Sequence, residues 1–182
     1  FRRYLRLDTT AGAPLIVMDA PPAQEDCRPF VHVARLLGRA GLKVPEVLAW
    51  QAEGGFMLLS DLGSSTLLER LDSERPDDAL PWFRCASDSL LRLQQASRPD
   101  VLPVYDEALL RRELQLFPDW YLAKHKGVVL DDADRQTLNS AFDQIVRTNL
   151  AAPQVFVHRD FMPRNLMSPT GEPDADSARV LG

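Results

Sequence analysis

His158-Arg159-Asp160-Phe161-Met162-Pro163-Arg164-Asn165 follows directly on the apolar run Val155-Phe156-Val157 and runs directly into Leu166-Met167. The two apolar segments read as short strands, so the polar residues are expected on a loop held between them. This spacing suits phosphoryl transfer. An aspartate in such a loop can accept or orient the proton of an attacking hydroxyl, and an asparagine five residues later can turn back to hold a Mg²⁺ on nucleotide phosphates. Asp160 and Asn165 are thus the candidates for those two roles, and His158 is expected to brace the loop through hydrogen bonds rather than to act as a base.

Upstream, the chain changes period once. Tyr4-Leu5-Arg6-Leu7 and Leu15-Ile16-Val17-Met18 flank the turn cluster Thr9-Thr10-Ala11-Gly12-Ala13-Pro14 and predict a hairpin. Phe30, Val33, Ala34 and Leu37 fall at helical spacing behind Pro29, and Gly38 and Gly41 suit the end of that helix. Val47-Leu48-Ala49-Trp50 and Phe56-Met57-Leu58-Leu59, joined through Glu53-Gly54-Gly55, predict a second hairpin. Beyond Asp61-Leu62-Gly63 the pattern is helical: Phe83, Ala86, Leu90 and Leu93; then Leu110, Leu114, Phe117 and Tyr121, bent at Pro118; then Leu138, Phe142, Ile145 and Val146. The expected class is α+β, with a small β-rich lobe over residues 1–60 and a larger helical lobe over 61–182.

Composition narrows the partners. Of 182 residues, 45% are hydrophobic and 26% charged, enough for a real core and too apolar for a disordered tail. With 21 Lys plus Arg against 26 Asp plus Glu, the net charge is −5, which disfavours nucleic acid. Cys27 and Cys85 are too few and too far apart to staple the fold, so free thiols in a reducing compartment are expected. No stretch reads as a membrane span or signal peptide. The start at Phe1 lacks an initiator Met, and Arg179-Val180-Leu181-Gly182, after the turn-rich 168–174, reads as an opening strand. Truncation at both ends is therefore expected.

His158-Arg159-Asp160 with Asn165 resembles the catalytic loop of the protein-kinase-like superfamily, and the order of the two lobes matches that fold across nearly the whole chain. The filling Phe161-Met162-Pro163-Arg164 is more similar to the aminoglycoside phosphotransferase family than to protein kinases. Phe1-Arg2-Arg3-Tyr4, Val17-Met18-Asp19-Ala20-Pro21-Pro22, Leu58-Leu59-Ser60-Asp61-Leu62-Gly63 and Leu116-Phe117-Pro118-Asp119-Trp120-Tyr121-Leu122 jointly resemble its anomeric sugar kinases, which act on N-acetylmuramate and N-acetylglucosamine in bacterial cell-wall recycling.

The resemblance implies ATP and Mg²⁺ as cofactors and a cytoplasmic monomer acting on a small sugar, with neither nucleic acid nor membrane as partner. Within it, Asp160 and His158 belong to the catalytic loop and Asn165 is the metal ligand. The backbone around Ser60, Asp61 and Leu62, at the lobe junction, would read the adenine edge, and Trp120 or Tyr121 would stack on the sugar, with Glu113 and Arg164 as further candidates to bind it. One departure stands out. The superfamily usually carries a phosphate-holding Lys on the strand that here spans Leu15 to Pro22, and none is present. Either Arg2, Arg3 or Arg6 supplies the charge, or metal and backbone hold the phosphates. The second metal-binding aspartate is expected beyond Gly182. An aminoglycoside or amino-alcohol phosphotransferase, and a pseudokinase that binds without turnover, are the competing functions.

Overall fold

A computed structural model describes residues 1–10, 12–168 and 179–180. Two compact units form: residues 1–97 with 157–182, and residues 98–156. This cut differs from the lobe boundary drawn at residue 60, because the first helix after the sheet and loop 158–165 fall in the same unit as the sheet.

The first unit is built on a four-stranded antiparallel sheet. Strands β1 (Arg3–Leu7), β2 (Leu15–Asp19), β3 (Val47–Gln51) and β4 (Phe56–Ser60) are ordered β1-β2-β4-β3, with helix α1 (Arg28–Arg39) between β2 and β3 in sequence. Both expected hairpins form, as does the expected helix. Alternation of side chains divides the sheet into two faces. Met18, Met57 and Leu59, with Ile16 and Val47 beside them, pack with Phe30 and Val31 of α1 into the core. Val31 is the buried α1 residue that Val33 was expected to be: burial follows Phe30, Val31, Ala34 and Leu37.

Gly55 turns the β3–β4 hairpin at φ +73°, where a Cβ would lie 2.2 Å from the Ala20 carbonyl oxygen. In exchange the Ala20 N–H donates to the Gly55 carbonyl at 2.8 Å, which fixes the exit of β2. Helix α2 (Leu80–Gln95) follows, burying Cys85, Ala86, Ser89 and Leu93. Its expected contacts Phe83 and Leu90 stay more exposed.

The second unit holds α3 (Glu107–Leu116), a π-helix over Phe117–His125 and α4 (Asp132–Leu150), which buries Phe142 and Val146. The bend expected at Pro118 is this change of helix type. The chain is helical on both sides of Pro118, so its missing N–H removes one interior helical hydrogen bond where the helix type changes. Among the described residues, no helix is long and apolar enough to cross a membrane.

Val155-Phe156-Val157 is not a strand. Phe156 is buried, yet residues 155–157 belong to neither sheet. The downstream expectation holds: Leu166–Met167 (β5) pairs antiparallel with Arg179–Val180 (β6). The turn expected over 168–174 lies, from Pro169 on, outside the described residues, as do Leu181 and Gly182.

Candidate active site

Loop 158–165 is anchored at its C-terminal end. The Leu67 N–H donates to the Leu166 carbonyl at 2.7 Å, the Ser168 N–H donates to the Ser65 carbonyl at 2.9 Å, and Arg70 Nε donates to Ser168 Oγ at 3.1 Å. Leu67, Leu166 and Met167 are all buried at this junction. Nothing in the spacing of residues 65–70 announced the tie, because it is made by backbone groups that carry no side-chain signature.

Inside the loop the chain is tightly turned. Arg159 sits at φ +71°, in the left-handed region that an arginine seldom adopts; such outliers concentrate where function requires them. The Met162 N–H donates to the Asp160 carbonyl at 3.1 Å, and the Asn165 N–H donates to the Met162 carbonyl at 2.9 Å, closing a helical turn over Pro163–Asn165. Asn165 then turns back as its spacing suggested. Its Nδ2 donates to Asp160 Oδ2 at 2.7 Å and to the Asp160 carbonyl at 2.9 Å. Asp160 is exposed, and the amide oxygen of Asn165 is left over as an acceptor.

His158 meets Phe161 edge to face, with ring centroids 5.4 Å apart and planes at 80°. Its Nδ1 is shielded from solvent and has no hydrogen-bond partner among the described residues. The contact it makes with the loop is therefore packing, where hydrogen bonding was expected. Arg164 is exposed on the turn.

The segment after β4 is braced from β1. Asp61 Oδ1 accepts from the Gly63 N–H at 2.8 Å, an Asx turn, and Asp61 Oδ2 pairs with Arg6 Nε at 2.7 Å. Arg6 Nη2 also donates to the Gly63 carbonyl at 2.8 Å. The Asp61 carboxylate is thus committed to structure, which leaves the backbone of 60–62 as the part that can meet a ligand. Ser60 ties to the start of β3: its Oγ accepts from the Glu46 N–H at 2.8 Å, while its own N–H donates to the Glu46 carbonyl at 3.0 Å. Leu62 lines a ≈ 510 Å³ cavity with Ala34, Gly38, Leu42, Pro45 and Val47.

The arginines at the N-terminus are also paired. Arg2 Nε lies 3.3 Å from Glu25, with its guanidinium 5.6 Å from the Phe30 ring centroid, and Arg3 pairs with Asp19 across the β1–β2 ladder.

Glu113, Trp120 and Tyr121 fall in the second unit. Glu113 accepts a hydrogen bond from the Tyr105 hydroxyl. Tyr121 stacks on Phe117 at 5.6 Å and meets His125 at 5.6 Å, an i, i+4 aromatic ladder along the π-helix, while Lys124 Nζ sits 3.5 Å from the Trp120 ring centroid. Among the described residues there is no cluster of three or more His, Cys, Asp or Glu able to cage a metal.

An exposed Asp–Asn pair thus sits on a strained loop in the same unit as the antiparallel sheet. Residues 1–174 match the phosphotransferase enzyme family (APH), and the chain belongs to it. Over 167 residues the chain is 54% identical to the N-acetylmuramate/N-acetylglucosamine kinase of Pseudomonas aeruginosa, covering 92% of this chain and 48% of that protein. It is 44% identical over 173 residues to the protein of the same name from Pseudomonas putida, covering 95% of this chain and 50% of the other. The chain thus spans about half the length of the curated relatives it matches. In architecture it is similar to the aminoglycoside phosphotransferase APH(2")-IIa, solved as a ternary complex with streptomycin and ATP. The TM-score is 0.57 at 13% identity, covering 99% of this chain and 64% of that one, so the α+β kinase-like fold is shared.

Proposed function

We propose that the full-length protein is an ATP-dependent kinase acting on the anomeric hydroxyl of an N-acetylated amino sugar, N-acetylmuramate or N-acetylglucosamine, in the cytoplasm. The observation that carries this reading is the Asp160–Asn165 pair: an exposed carboxylate bonded at 2.7 Å to an amide on the same strained loop. The names and identities of the relatives support the choice of sugar.

In this reading Asp160 orients the sugar hydroxyl and takes its proton as the oxygen bonds to the γ-phosphorus and the bond to ADP breaks. Catalysis then rests on positioning and charge. The donor set fits a hard cation held mainly by phosphates and water: the loop offers one amide oxygen and one carboxylate, with no cage among the described residues. Asn165 Oδ1 would be the ligand from this chain to Mg²⁺, which neutralises phosphate charge when bound. The backbone of Ser60, Asp61 and Leu62 is our candidate for the base. For the phosphates the candidates are Arg2 and Arg3, each of which would have to share itself between its present carboxylate and the ligand. Glu113, Trp120, Tyr121 and Arg164 are our candidates for the sugar.

Release of ADP by full-length enzyme with ATP and Mg²⁺ tests the proposal, comparing the two N-acetyl sugars with a polycationic aminoglycoside. Turnover on the sugars alone is the expected result. Faster turnover on the aminoglycoside would replace this reading, and no turnover on any acceptor would favour the pseudokinase.

A further inference from the structure

Three arginines near the N-terminus compete for the role left open by the absence of a lysine between Leu15 and Pro22, and strand register separates them. Arg2, Tyr4 and Arg6 share one parity along the chain; Arg3, Leu5 and Leu7 share the other. Tyr4 is opposite Met18 and Arg6 is opposite Ile16, so the first set belongs to the face that packs on α1. Consistent with that placement, Arg2 lies over Phe30 of α1, and Arg6 is bound by both Asp61 and the Gly63 carbonyl.

Arg3 belongs to the opposite face. There the ladder aligns Leu5 with Val17, Val17 with Leu58 and Leu58 with Ala49, an apolar row on the face away from α1, with Leu7 opposite Leu15 beside it. Leu5, which ends the row on β1, is 61% exposed. At one end of this face, Arg3 stands opposite Asp19, and Asp19 opposite Phe56. At the other end, Leu15 stands opposite Ser60, where the 60–62 segment begins. Four residues of strand separate the two ends, about 13 Å. A flat base at 60–62 and on the apolar row would therefore direct its phosphates toward Arg3.

The pair itself is asymmetric. The Arg3 side chain is 75% exposed, whereas that of Asp19 is only 12% exposed. A carboxylate engages at most two of the five N–H donors of a guanidinium, so Arg3 keeps donors facing outward, on a side chain whose direction Asp19 fixes.

We propose that Arg3 is the cation that holds the nucleotide phosphates and that Asp19 is its positioning residue, a cross-strand arginine–aspartate pair standing in for a strand lysine. This rests on the nucleotide reading above and narrows it: Arg2 and Arg6 are assigned to α1 and to the 60–63 turn instead.

The test uses full-length protein and titrates adenosine and ADP separately, because a phosphate contact is felt only by the nucleotide. Arg3→Ala is expected to weaken ADP by roughly 10-fold or more, the range for hydrogen bonds to a charged group, while adenosine affinity stays within about twofold. Arg3→Lys should restore part of the loss. Asp19→Asn, nearly isosteric, should weaken ADP by a few-fold through a misaimed Arg3, again sparing adenosine. Parallel losses of adenosine and ADP in Arg3→Ala would mark Arg3 as merely structural and overturn the proposal. So would unchanged ADP affinity in that variant. Tighter ADP binding by Asp19→Asn would show that the aspartate competes with phosphate, overturning its positioning role. If wild-type protein binds neither ligand, the nucleotide reading itself fails; if wild type binds ADP and Arg3→Ala binds it equally, only this inference does.

Discussion

The two faces of the β1-β2-β4-β3 sheet are made from the same kinds of residue and meet different fates. On one, Met18 at 0% exposure, Met57 at 2% and Leu59 at 2% are sealed under α1. On the other, Leu5, Val17, Leu58 and Ala49 form a continuous row on the face away from α1, flanked by a charged pair. Hydrophobicity alone does not separate them; cover does. A covered row contributes stability through area removed from water, while an uncovered one gives up that gain and keeps a surface on which a flat ligand can lie. Loop 158–165 extends the contrast, since Asp160 is exposed and is held by Asn165 from within the same loop. Changes under cover should therefore be read in stability, and changes on the open surfaces in binding and rate.

The largest expected effect lies on the open side. Asp160→Asn in the full-length enzyme should lower kcat by about 10²- to 10⁴-fold, the span for a positioned general base, with ADP affinity close to wild type. Equal turnover would remove Asp160 from the chemistry and with it the contrast between loop and core. Met18→Ala is the counterpart under cover. Its side chain is fully buried, so unfolding free energy should fall by about 2–5 kcal/mol, measured by denaturant titration, while kcat per folded molecule is unchanged. A rate loss without a stability loss would mean the covered face acts on the chemistry directly.

Asn165→Ala should come next. Losing the amide oxygen is expected to raise the Mg²⁺ concentration needed for nucleotide binding by roughly 10-fold, and it also frees Asp160 from its 2.7 Å tether, so some loss of kcat accompanies it. The same Mg²⁺ requirement in both proteins would exclude the metal role.

What the sequence disclosed and what it withheld follow the same division. Period-two and helical spacing found both hairpins, α1 and the helices of the second unit; core burial accounts for the period in α1 and in α4, which buries Phe142 and Val146, whereas α3 buries no residue and Phe117, Tyr121 and Ile145 are exposed. Asp160 and Asn165 were legible because one short loop contains both, and their spacing alone lets the amide fold back on the carboxylate. Val155–Val157 was misread as a strand, since strand identity depends on a partner that local sequence does not name. The π-helix over Phe117–His125 was visible only as a bend at Pro118; its register depends on i→i+5 bonding, such as the Lys126 N–H to the Tyr121 carbonyl at 3.0 Å, that no composition signals. The separation of Arg3 from Arg2 and Arg6 needed the register of β1 against β2, which fixes the face each guanidinium reaches.

The smallest expected effect concerns Trp120. The ring is 58% exposed, yet Lys124 Nζ stands 3.5 Å from its centroid and takes one face, so at most the other is free for a sugar. Because nothing seals Trp120, truncating it should leave stability within about 0.5 kcal/mol, the usual range for surface positions. Stacking on a single face binds ground and transition states alike, so Trp120→Ala should raise the sugar's KM by a few-fold and leave kcat nearly unchanged. Lys124→Ala supplies the sharper half of the experiment. If the sugar uses the face that Lys124 now covers, that variant should lower KM; if it uses the other face, KM should hold steady while Trp120→Ala still raises it. An unchanged KM in Trp120→Ala would assign the ring to Lys124 alone and remove it from the open, ligand-bearing surface.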